Sequence, residues 1–426
     1  MKLWEENKIT NEKVDQFTVG KDRKYDLILA KYDCEASIAH AKMLCEIGIL
    51  TDQETFEICK VLLEIKNQAE NGSFTIENKF EDMHSKIEYL LIDKLGAIGK
   101  KIHTARSRND QVLVAMHLYL KNEISVVKLQ TKNLFDLLIN LSEKYKADLL
   151  PGYTHLQTAM PTSFGMWFSA YAESLIDDVQ FLNTAYCLSD QNPLGSAAGF
   201  GSSFPINREL TTKLLGFNTL KFNSTAAQMS RGKVEKSTAT AIGMLGSTLA
   251  KLSMDICLYM GQEYEFISFP DNLTTGSSIM PHKKNPDIFE LIRGKCNMLQ
   301  GVPYQLSILM TNLPSGYHRE LQLTKGIIID AIEELKSCLD ILTFSLPQIK
   351  ISKQITDQKK YDTLFSVDTL NSEVNKGKPF RDVYIEYKKN IKTGKFKPNR
   401  SVKHSHTGSI GNLSLGKIRN KFDEMF

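Results

Sequence analysis

Apolar residues recur at helical spacing along most of this chain. The clearest case is residues 107–150, where no Gly or Pro occurs and Leu113, Met116, Leu120, Ile124, Val127, Leu134, Leu138 and Leu141 fall three, four or seven residues apart. Steps of that size place side chains on one face of a helix. The segment exceeds an ordinary globular helix, so it predicts a long bundle rather than a compact layered domain. The same pattern predicts helices over about 166–189, 234–260 and 326–344. One more begins after Asn285-Pro286, where Asn can cap and Pro fits the first turn. Five long helices imply an antiparallel bundle.

Upstream, Thr51 followed three residues later by Glu54 is a capping-box pattern, and Asn71-Gly72 closes the helix it opens. The expected class is all-α. A helical N-terminal domain covers 1–106, the central bundle 107–346, and a small basic C-terminal domain 347–426, where the periodicity weakens after Pro347. The Gly/Ser/Pro segment NPLGSAAGFGSSFPINR matches neither phosphate-loop pattern and follows no strand, so it reads as a structured connection.

Composition adds little to this. The chain has 426 residues, 42% hydrophobic, with a net charge of +4, which gives no argument for nucleic acid or a membrane surface. The charge is uneven: residues 376–426 hold thirteen Lys/Arg against four Asp/Glu, a run read as a solvated basic face without aromatics interleaved for base stacking. Seven cysteines lie scattered without a C-x-x-C pair, as expected for reduced thiols. The start, MKLWEENKIT, has no leader-like apolar region, and no uninterrupted apolar run is long enough to cross a bilayer, so a cytoplasmic protein is expected.

Candidate chemistry gathers at the ends of the long helices. HTARSRNDQ, residues 103–111, puts two arginines at a helix start, where unpaired amides favour a carboxylate; taken alone, it reads as caps and surface charge. GYTHLQTAMPTSFG, residues 152–165, links the first two bundle helices and carries His155, a residue type suited to proton transfer or to a structural hydrogen bond. GSSIMPHKKNPD, residues 276–287, joins Ser277 and Ser278 to two lysines and a helix start. A serine base there needs its alkoxide stabilised by amides and a lysine, and the bland alternative is a solvated hairpin. GYHRELQLTK, residues 316–325, precedes the fifth helix. No His/Cys/Asp/Glu grouping has metal-ligand spacing, and no hydrolase elbow is present.

GSSIMPHKKNP resembles the signature loop of the fumarase/aspartase superfamily, through Gly276, Ser277, Ser278, Met280, Pro281, Lys283, Asn285 and Pro286. HTARSRNDQ, GYTHLQTAMP and YHRELQLTK are similar to the argininosuccinate lyase branch, and the likeness runs from FTVGKDRKYD to GSIGNL. The resemblance implies cleavage of argininosuccinate to arginine and fumarate without cofactor or metal. It also implies a homotetramer with a twenty-helix core and active sites built from three subunits. Matched by position, Ser277 is the base that takes the proton beside a carboxylate, and His155 protonates the leaving nitrogen with Glu290 polarising it. Lys283 and Asn285 hold the fumarate-side carboxylate. Ser107, Arg108, Asn109, Thr154, Tyr317, Gln322 and Lys325 are substrate-binding positions. Where many members have Ser, this chain has Asp22, whose carboxylate would meet an ammonium group. The alternatives are a sister lyase acting on another succinyl-amine such as adenylosuccinate, and a non-catalytic crystallin-like relative.

Overall fold

The computed structural model describes residues 12–426. The MKLWEENKIT stretch lies outside the described residues. The main elements, in chain order, are α1 (Asp22–Glu46), α2 (Asp52–Glu70), α3 (Met83–Leu95), α4 (Arg108–Lys144), β1 (Leu149–Thr154), β2 (Gln157–Ser163), α5 (Phe164–Ser189), α6 (Lys233–Met260), α7 (Asp287–Leu299), α8 (Val302–Leu309), α9 (Thr324–Ser345), α10 (Ser366–Val374), α11 (Phe380–Lys392) and α12 (Leu415–Asp423). Strands are few and short, and the fold is all-α. All eight periodic apolar residues of α4 are buried, so the spacing in the sequence marked the true core face.

The chain forms two compact units, one made of Met1–Lys128, Phe181–Met244 and Met298–Leu335, the other of Leu129–Gln180, Leu245–Asn297 and Lys336–Phe426. In the first unit, α1 packs on α2, and Leu29, Leu44, Ile58 and Leu62 of the two helices are fully buried. The predicted capping box is present: Glu54 N donates to Thr51 Oγ1 at 3.2 Å, and Thr51 N to the Glu54 carboxylate at 3.0 Å. Such a cap contributes about 1 kcal/mol. The buried Asp110 carboxylate fixes the start of α4 and the Gly/Ser/Pro connection together, accepting from the amides of Ser107, Gly195 and Ala197, each at 3.0 Å. That connection is structured by a carboxylate, not built around a phosphate.

In the second unit, Asp255 on α6 accepts from Trp167 Nε1 at 3.0 Å and from Tyr171 OH at 2.6 Å, so one half-buried carboxylate anchors two aromatics of α5. Phe135 of α4 stacks on Phe422 of α12 at 3.7 Å between ring centroids, and Arg419 donates to Asp136 at 2.6 Å beside it.

Four sequence expectations change. The link carrying His155 is an antiparallel hairpin, β1–β2, with His155 and Leu156 at its turn. Asn285 does not cap the fourth helix: the helix begins at Asp287, which leaves Asn285 one residue outside the cap position, its amide donating to the Thr275 carbonyl at 2.8 Å across the base of the preceding loop. That helix also stops at Leu299 and restarts as α8, with Gly301 and Pro303 at the break. The basic C-terminal run does hold aromatics: Phe380, Tyr384 and Tyr387 on α11 line an apolar groove with Val367 and Leu370 of α10. One stretch, Ser224–Met260, is apolar and long enough to cross a bilayer by composition, yet 56% of its most apolar window is buried inside the protein, as in a core helix.

Candidate active site

The first unit holds a polar cavity of about 120 Å³. Its wall includes six of the residues singled out from the sequence: Asp22, Arg108, Asn109, Tyr317, Gln322 and Lys325. Asp22, Arg108, Asn109 and Lys325 come from the starts of α1, α4 and α9, and Tyr317 from the loop that leads toward α9. Gln322 sits in a short 3-10 turn leading into α9 and donates to the Thr18 carbonyl at 3.0 Å. Ser107 is not on the wall; its hydroxyl accepts from the Asn109 amide at 3.3 Å and caps α4.

Charge in this cavity is paired. Lys325, only 4% exposed, lies 2.6 Å from Asp22 and 2.7 Å from Asp26. Burial alone would lower the Lys325 ammonium, but Asp26 and Asp22 outweigh it and hold it above its ordinary value. Burial and the neighbouring Asp26 carboxylate push Asp22 up to about 6, against the opposing pull of Lys325 and Arg231. Arg108 binds Glu81 at 2.8 Å and Asp82 at 3.2 Å, Arg319 reaches Glu81 at 3.0 Å, and Arg231 lies 3.0 Å from Glu235. Sequence reading missed Asp26, Glu81, Asp82, Arg231 and Arg319 on this wall. For Asp26 a signal existed: it follows Asp22 by one helical turn, which puts both carboxylates on the same face.

The remaining candidates belong to the second unit. His155 occupies the hairpin turn with φ of 53°, followed by Leu156 at 58°, a left-handed pair that neither side chain favours. Backbone held this way at a non-Gly residue is a mark of a site where position matters more than local stability. Thr154 is the last residue of β1 and pairs with Gln157. Ser277 lies in an exposed loop whose base is the Thr275–Asn285 bridge. Its Oγ accepts from the amides of Met280 at 3.1 Å and Ile279 at 3.3 Å, so the hydroxyl already rests over two fixed donors. Of the two lysines, Lys284 is bound to Asp271, whereas Lys283 has no ion pair among the described residues. Glu290 is on the first turn of α7, 3.9 Å from Arg293. No hydrogen bond joins His155, Ser277 and Glu290 among the described residues of one chain. No group of three or more His, Cys, Asp or Glu residues suited to a metal ion occurs among the described residues.

A family model described as Lyase matches residues 7–301. The argininosuccinate lyase of Parabacteroides distasonis is 52% identical over 412 residues, 97% of this chain and 92% of that protein. This chain belongs to the argininosuccinate lyase family. The family's member from Phocaeicola vulgatus is 50% identical, covering 98% of this chain and 94% of its own. Among solved structures, EDDS lyase in complex with formate superposes with a TM-score of 0.80 at 21% identity, covering 96% of this chain and 89% of that one, which speaks for the fold.

Proposed function

We propose that this lyase cleaves argininosuccinate to arginine and fumarate by β-elimination of a C–N bond. The observation that carries the reading is identity of about half over nearly the whole chain with argininosuccinate lyases, in a chain that keeps the GSSIMPHKKNP loop intact. In the mechanism, Ser277 takes the proton from the carbon beside a carboxylate. The amides of Met280 and Ile279 support its oxyanion, and Lys283, which has no ion pair among the described residues, meets the charge that builds on the carboxylate. Asn285 holds the same carboxylate. His155, polarised by Glu290, gives a proton to the departing guanidinium nitrogen. Ser107, Arg108, Asn109, Thr154, Tyr317, Gln322, Lys325 and Asp22 bind the rest of the substrate.

The active enzyme is a cytoplasmic homotetramer whose sites draw residues from more than one subunit. Two facts support this. His155, Ser277 and Glu290 share no hydrogen bond within a chain, and apolar side chains stand open at helical spacing on α7 and α8: Leu291 62%, Met298 77%, Tyr304 70% and Ile308 57% exposed. The three-part division at 106 and 346 is retained within the same proposal and is tested by limited proteolysis.

The deciding measurement is fumarate absorbance with argininosuccinate as substrate. Release from adenylosuccinate but not argininosuccinate would transfer the chain to a sister activity. Release from neither, by a folded tetramer, would make it a structural relative.

A further inference from the structure

The hairpin that carries His155 cannot hold its own shape. Its turn places two residues with β-carbons, His155 and Leu156, at positive φ, and both are exposed. A lone two-stranded hairpin is at best marginally stable in water, so this one needs an anchor from elsewhere in the fold. The anchor lies just below the turn. Strand register shifts between Pro151 and Tyr153, and an irregularity of that kind re-aims the side chain beside it. The Tyr153 ring sits edge-on to Tyr264, 5.6 Å between centroids, and 6.4 Å from the fully buried Phe266. Its hydroxyl donates to the Tyr361 hydroxyl at 3.2 Å, and the Tyr361 ring closes the cluster 6.3 Å from Phe266.

Tyr361 is only 3% exposed and belongs to a 3-10 turn, Lys359–Phe365, in the C-terminal part of the chain. That turn is itself fixed. Leu364 and Phe365 are fully buried, and Arg400 donates to the Asp362 carboxylate within the turn and to the Thr356 carbonyl before it, its guanidinium 5.3 Å from the Phe365 ring centroid. A second tie from the same part of the chain, Lys353 to Asp148 at 2.6 Å, is exposed at the lysine and screened by water.

We propose that Tyr361 is a positioning residue: acting through Tyr153, it holds the hairpin so that His155 stands where the leaving nitrogen must be protonated. This rests on the role given to His155 above. A proton donor works only within hydrogen-bond reach, and a displacement of about 1 Å can cost about 100-fold in rate. Each tyrosine hydroxyl gives the other a partner in a largely apolar cluster, where an unpaired hydroxyl is costly. Burial and the bond to Tyr361 push Tyr153 up to about 12, so the pair stays protonated at neutral pH.

The test uses Tyr361→Leu, which removes ring and hydroxyl, and Tyr361→Phe, which keeps the ring. Both are made in the full-length wild-type chain and in His155→Asn. Tyr361→Leu should lower kcat about 10–100-fold while KM changes less than about threefold. In His155→Asn the same substitution should lower the residual rate less than about twofold, because a residue that acts only through His155 then has nothing to act through. Tyr361→Phe should bring turnover back to about threefold below wild type. Hydrogen exchange over residues 149–163 should quicken about tenfold or more in Tyr361→Leu, with α2 unchanged. Equal losses in the two backgrounds overturn the proposal, as does unchanged exchange in the hairpin. So does a loss confined to KM, which would assign the effect to Thr154 on the same hairpin. If Tyr361→Leu does not fold, Tyr361→Phe decides by the same ratio, with about a threefold loss in the wild-type chain and none in His155→Asn. A folded wild type that releases no fumarate from argininosuccinate ends the proposed activity instead, and the exchange measurement, which needs no substrate, still decides whether Tyr361 holds the hairpin.

Discussion

The cavity around Lys325 and the loop around Ser277 solve different problems with similar residues. Both contain a lysine next to a carboxylate. In the cavity the pair is buried, 4% and 11% exposed for Lys325 and Asp22, whereas in the loop Lys284 and Asp271 are 62% and 82% exposed. A charge removed from water must be compensated or it costs several kcal/mol, so the cavity's pairs are structural obligations. An exposed pair is screened and contributes little. The lesson is that the cavity is preorganised on helix starts, while the loop leaves Ser277 and Lys283 accessible and gives up stability to do so.

Ser277→Ala should lower turnover about 10²–10⁴-fold with an unchanged thermal midpoint, since the residue is half-buried in a surface loop and lies outside the apolar core. Near-normal turnover would take Ser277 out of its role. Lys325→Met should destabilise the protein by about 3–5 kcal/mol in chemical denaturation, because it strands Asp22 and Asp26. A change below about 1 kcal/mol would mean that the carboxylates relax into water and that the cavity is no more rigid than the loop.

A pH experiment sharpens the contrast further. Burial holds His117 down at about 4 and His103 at about 4, so in the first unit both are neutral when folded. A depressed folded value means stability present above the unfolded value of 6.5 and lost as the pH falls toward 4. His117→Gln, which can still bond the Ser189 carbonyl, should flatten the stability profile over that window by about 1.4 kcal/mol per pH unit. An unchanged slope would show that His117 takes up no proton on unfolding. The smallest effect is expected for Lys284→Met, which should leave the thermal midpoint within about 1 °C of wild type. A larger drop would show that the loop's exposed pair holds structure after all.

Much of this was readable beforehand, and the limits have causes. The α4 face was legible because periodic burial repeats over many turns and each residue votes for the same phase. The hairpin was not, because its turn uses His155 and Leu156 at positive φ where Gly or Asn normally signals such a turn. Asn285 looked like a cap because local chemistry permits it, but pairing with Thr275, ten residues back, took its backbone instead. Glu81 and Arg231 joined the cavity through contacts that span the sequence, which no local pattern encodes.

The sequence by itself determined the helices, their apolar faces and the resemblance carried by residues 276–286, since each depends on neighbours along the chain. Only the tertiary structure decided which charges meet. Whether Asp22 faces water, a lysine or a ligand depends on α9 arriving beside α1, three hundred residues away in the chain, and electrostatic energy depends on that distance and on the burial around it.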